Sequence, residues 1–106
     1  MSRVINEQCT EETLLKCVDS GLDVFGNTVK NVIYWRFKAA FNLDRKDIVN
    51  KPEMFCECLR SFFGERAFSV EQAIVGSILG TFPLVDVNLS DSATRAIAEA
   101  RKKVRS

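Results

Sequence analysis

Residues 10–26 read TEETLLKCVDSGLDVFG, and the spacing of their apolar members decides the fold class. At about 100° per residue, Leu14, Leu15, Val18, Leu22 and Phe25 fall on one stripe, the pattern of an amphipathic helix with one buried face. Thr10 is placed to cap that helix, and Glu11 and Glu12 suit the positive end of its dipole. Gly26 is the expected terminator, since a helix ends readily on a residue free to turn left-handed. Gly21 borders the stripe, where a missing side chain lets a second helix come close.

Working outward, the same period restarts after each Gly, Asn or Pro. A second helix is expected over Val29–Phe41 behind an Asn27 or Thr28 cap, with Val29, Val32, Ile33, Phe37, Ala40 and Phe41 inward. Asn42 is its left-handed terminator. Asp44–Asn50 reads as a polar connector anchored by Ile48, its Asp44, Arg45, Lys46 and Asp47 forming a solvated turn. Asn50 is expected to cap a third helix, with Pro52 in the first turn, a buried stripe of Phe55, Leu59, Phe62 and Phe63, and Gly64 as its stop. The fourth covers about Arg66–Thr81, with a Ser69/Gln72 capping box and a face of Val70, Ile74, Ile78 and Phe82. Pro83 breaks the chain. Leu84–Leu89 alternates like a strand but has no second strand to pair with, so an extended crossover is expected. Ser90 or Ser92 caps a last helix whose narrow face is Ala93, Ala96, Ile97, Ala100 and Val104. Such a face buries little, so this helix is read as the least firmly held element or as a seam for a second chain. The expectation is an all-α, single-domain bundle of about five helices in orthogonal or irregular packing over residues 1–106.

Composition is that of an ordinary globular protein: 46% hydrophobic and 27% charged, with a net charge of +1. So balanced a charge gives no global field for nucleic acid or an acidic membrane. Met1–Thr10 is polar, and no apolar run approaches the roughly 20 residues of a membrane span. A cytoplasmic protein with no membrane partner is expected. Cys9, Cys17, Cys56 and Cys58 lack C-x-x-C spacing and the chain has no histidine, so no metal site and no cofactor are expected. Cys17 and Cys56 read as small core residues.

Two charges interrupt the apolar faces. Arg36 falls among Val29, Val32, Ile33 and Ala40, and Glu71 among Val70, Ile74, Ile78 and Phe82. An unpaired buried charge costs several kcal/mol, so each needs a partner. The economical expectation is that Arg36 and Glu71 meet across the helix interface, with Tyr34 or Ser69 adding a hydrogen bond. The functional alternative is a pocket for a small anionic ligand with Arg36 as its clamp, and the remaining one is that either side chain snorkels to the surface. Tyr34 and Trp35 flank the same arc as an amphipathic core edge, and an exposed Trp35 would anchor a protein contact.

From Gly26 to Phe82 the order of landmarks resembles a small archaeal helical family labelled the nitrososphaeral output domain. Those landmarks are Gly-Asn-Thr-Val-Lys-Asn-Val-Ile-Tyr-Trp at Gly26–Trp35, Phe41-Asn42-Leu43, a short turn to Ile48, Pro52-Glu53-Met54-Phe55, Phe62-Phe63-Gly64, and the Glu71-bearing helix ending near Leu79. The resemblance implies a helical output or sensory module and carries no catalytic residues. Trp35-Arg36 and the basic last helix depart from its pattern.

No nucleophile elbow, phosphate loop or calcium loop occurs, and without histidine no ordinary proton shuttle exists near neutral pH. The expected function is therefore a non-enzymatic interaction or regulatory module, homodimeric through the last helix or the Trp35 edge. A nucleic-acid-associated regulator is the alternative, using Arg95, Arg101, Lys102, Lys103 and Arg105 of the last helix. A small-anion sensor at Arg36 is the third reading.

Overall fold

The computed structural model describes residues 10–105, excluding the side chain of Arg105. Helix α1, Glu11–Asp23, begins where the sequence places it: the Thr13 N–H donates to Thr10 Oγ1 at 3.0 Å. Its buried face is Leu14, Leu15, Cys17, Val18, Gly21 and Leu22. Helix α2, Asn27–Phe41, starts directly after Gly26, which takes a φ of 103° and leaves neither Asn27 nor Thr28 outside the helix to cap it. It ends on Asn42, left-handed at φ 59°. A 3₁₀ turn, Arg45–Ile48, carries the capping box of the connector: the Asp44 and Asp47 side chains each accept from the other's backbone.

Helix α3 is Pro52–Phe63. Lys51 rather than Asn50 holds its cap position, without a side-chain hydrogen bond, and Pro52 fills the first helical position that suits its missing N–H. A second 3₁₀ turn, Gly64–Arg66, leads without interruption into α4, Ala67–Leu79, so Ser69 lies inside the helix and forms no capping box. Gly64, at φ 61°, makes the bend between them. Among the described residues the bundle is all-helical, with α3 and α4 joined through the bend at Gly64 and no loop between them. Helix α5 is Ala93–Arg105. The segment between α4 and α5 contains no strand; Phe82 and Val87 plug the core from it.

The molecule is all-helical and compact, with a radius of gyration of 13.2 Å against about 13 Å expected for a packed chain of this length. Its main seam runs between α1 and α4. Gly21 makes that seam possible: a Cβ there would sit 2.6 Å from the Ile74 Cα, so the two backbones are nearly in contact. Helix α5 is not loosely attached. Ala93, Ala96, Ile97 and Ala100 are fully buried against the rest of the bundle, because their small side chains let α5 lie close. The face read as a dimer seam is thereby filled from within the chain. No helix among the described residues is long and apolar enough to cross a membrane.

Candidate functional site

Glu71 sits where its helix period places it, buried at 6% exposure on the inner face of α4. Its partner is not Arg36. One carboxylate oxygen accepts from Arg60 Nε at 3.1 Å, and the other accepts from the Ala93 N–H at 3.0 Å. Glu71 is therefore a helix cap supplied from another element: it satisfies the first N–H of α5 and sets its negative charge against the positive end of that helix. Ser92 completes the start of α5 by accepting from the Arg95 N–H at 3.1 Å. Arg60, mostly exposed at the end of α3, closes the ion pair from the solvent side.

Arg36 escapes the core because the buried face of α2 is rotated from the expected arc. Ile33 and Phe37 are fully buried, and Tyr34 and Phe41 pack beside them. The aromatic residues pull that side of α2 inward, leaving Ala40 exposed and Arg36 at the edge. Its guanidinium lies over the Phe62 ring, 5.2 Å from the centroid. Phe62, expected in the buried stripe of α3, is 38% exposed beneath it. Such stacking suits a planar cation that needs no carboxylate.

Between α2 and α3 runs an open groove of about 320 Å³, lined by Trp35, Arg36, Ala39, Ala40, Phe41, Glu57, Cys58 and Ser61. Trp35, the single tryptophan of the chain, stands on its rim at 67% exposure. The structure thus brings Trp35 and Arg36 together at one surface and places Glu71 elsewhere.

Tyr34 belongs to a third cluster that sequence reading did not assemble. Its hydroxyl donates to Asp19 Oδ1. Arg45 grips the same carboxylate through Nη2 at 2.8 Å and Nε at 3.2 Å, and reaches Glu12 at 3.3 Å. Arg45 is therefore a clasp tying the 3₁₀ turn to α1, not part of a solvated turn. Burial alone would raise the Asp19 carboxyl, but Arg45, Tyr34 and Lys30 outweigh it and hold it below the usual carboxylate range. Burial and the adjacent carboxylate push the Tyr34 phenol far above its ordinary value.

The cations of α5 are largely engaged. Arg95 Nη1 donates to the Asp86 carbonyl at 2.6 Å and to Asp91 at 2.9 Å. Arg101 donates to the Val49 carbonyl at 2.9 Å, pinning α5 to the end of the connector. Lys102 pairs with Glu99 at 3.1 Å, and Lys103 also has a partner. On α2, Lys30 pairs with Asp23 and Lys38 with Asp44.

Cys17, Cys56 and Cys58 are all buried. Burial pushes the Cys56 thiol up to about 11 against the lowering effect of Thr94, and burial raises that of Cys58. Such thiols are poor nucleophiles at neutral pH. Cys9 lies outside the described residues. Among the described residues no group of three or more Cys, Asp or Glu is placed to hold a metal ion.

No family model, no curated protein and no solved structure matches the chain.

Proposed function

We propose that this chain is a non-enzymatic interaction module of the regulatory, output-type kind, and that it contacts a protein partner through the α2–α3 face around Trp35. The exposure of Trp35 beside a groove carries this reading. Trp35, with Ala39, Ala40 and Phe41 in the groove beside it, forms a contiguous exposed apolar surface of the kind that marks contacts, and tryptophan is over-represented among the residues that dominate them. Arg36 and Phe62 extend the same face, so aromatic, apolar and cationic groups adjoin one another on it. The order of landmarks from Gly26 to Phe82, with its resemblance to an archaeal output family, agrees with a module that transmits by contact.

A photo-reactive phenylalanine analogue placed at Trp35 tests this in cells, with the same analogue at exposed Lys16 of α1 as control. Discrete adducts at position 35 and none at position 16, identified by mass spectrometry, are the expected outcome. A second copy of the chain in that adduct would make the module a homodimer; no adduct at position 35 removes the reading. The nucleic-acid alternative is weaker, because Arg95 and Lys102 pair with Asp91 and Glu99 and Arg101 is held by the Val49 carbonyl.

A further inference from the structure

We infer that the cleft between the α1–α2 corner and the α3–α4 bend is a binding site for a small apolar monocarboxylate. It measures about 460 Å³ and is lined by Phe25, Val29, Phe63, Arg66, Ser69 and Val70. That volume falls within the range of small-molecule sites, which are mostly apolar with a few convergent polar groups. The walls fit this description. Phe25 and Phe63 stand 6.1 Å apart at a tilt of 50°, half-buried, with Val29 beside them and Val70 fully buried at the base.

The polar end decides the chemistry. Arg66 and Ser69 lie one turn apart at the start of α4, so both can serve one ligand group. The other arginines with described side chains are committed: Arg45 and Arg60 to carboxylates, Arg95 to a carboxylate and a carbonyl, Arg101 to a carbonyl, and Arg36 to the Phe62 ring. Arg66 has no hydrogen bond, ion pair or ring contact among the described residues, and neither has the Ser69 hydroxyl. A guanidinium without a partner among the described residues, at the mouth of an apolar cleft, matches a planar anion carried on an apolar body, since the fork of Arg suits a carboxylate. No acidic side chain lines this cleft, whereas Glu57 lines the groove beside Arg36. The anion site expected at Arg36 is thus better placed at Arg66, and this inference stands apart from the Trp35 reading.

Titrating the intact chain with octanoate and with neutral octanamide, followed by NMR, tests it. Octanoate should bind saturably and shift resonances of Phe25, Val29, Phe63 and Val70, with octanamide about tenfold weaker or more. Arg66→Gln should reduce octanoate to the level of the amide without moving the melting temperature of the free protein, and Arg36→Gln should change nothing. Equal binding of acid and amide, full binding by Arg66→Gln, shifts confined to the Trp35 groove, or no binding of octanoate would each overturn the assignment.

Discussion

Gly21 and Glu71 each tolerate replacement poorly, for different reasons. At Gly21 there is no room: the missing Cβ is what lets Ile74 approach. Gly21→Ala should cost about 1–3 kcal/mol, the usual penalty of overpacking, read as a lowered denaturant midpoint with an unchanged m-value. At Glu71 the issue is charge. Glu71→Ala leaves the Ala93 N–H without its acceptor and Arg60 without its carboxylate, and should cost about 3 kcal/mol or more. Arg60→Met should cost about 1 kcal/mol, because Arg60 is largely in water and the α5 N–H still holds the carboxylate. Equal losses at the two positions in thermal melts would show that the ion pair, not the cap, is the stabilising part. The sequence revealed that Gly21 borders a seam and that Glu71 faces inward, since both follow from helical period. It did not reveal the partner of Glu71. Arg60 lies on the outer face of α3, and a backbone N–H carries no signature in the sequence.

At the scale of the element, α5 shows how a helix with a weak apolar face can still be held. Its inner residues are mostly alanines, so burial contributes modestly per residue. Two polar attachments make up the difference: Glu71 at its first turn and Arg101 on the Val49 carbonyl. In hydrogen exchange, Glu71→Gln should accelerate the amides of α5 well before those of α1. Uniform acceleration in both would mean that α5 does not open on its own. Helix α2 illustrates the limit of reading one helix at a time. Its apolar and aromatic residues cover so wide an arc that several rotations bury comparable surface, and only packing of Tyr34 and Phe37 against Phe55 selects one. Arg36 therefore lies at the edge of the buried arc rather than within it. Helix α1 has a better-defined face, and Leu14, Leu15, Val18 and Leu22 are buried as their spacing requires, whereas α4 buries Ala67 and Val75 beside the expected Val70, Ile74 and Ile78.

For the whole molecule, the Asp19–Arg45–Tyr34 clasp contributes to the pH dependence of stability at both ends, alongside the raised thiols of Cys56 and Cys58 on the alkaline side. Asp19 is held below its ordinary range when folded, so its contribution is present above about pH 4 and is lost as pH falls through the folded value. Tyr34 is raised, so the folded state keeps a proton that the unfolded chain releases above about pH 10, and stability declines from there upward. Asp19→Asn should flatten the acid limb of a stability–pH curve, and Tyr34→Phe the alkaline limb; unchanged limbs would remove the clasp from this role. Tyr34 stands out in the sequence but Asp19 and Arg45 do not, because they lie 26 positions apart and each reads as an ordinary solvated polar residue. Only the return of the 3₁₀ turn to α1 brings them together. The buried thiols give a further check. Cys17, Cys56 and Cys58 should resist iodoacetamide at neutral pH in the native protein and react once it is denatured, as mapped by mass spectrometry.

Placing the lone tryptophan outside the core has a practical consequence for anyone who studies this molecule by light. The indole of Trp35 is already largely in water, so its emission should be red and should barely move when the chain unfolds. Intrinsic fluorescence is then nearly blind to folding and correspondingly sensitive to anything that settles on the α2–α3 face.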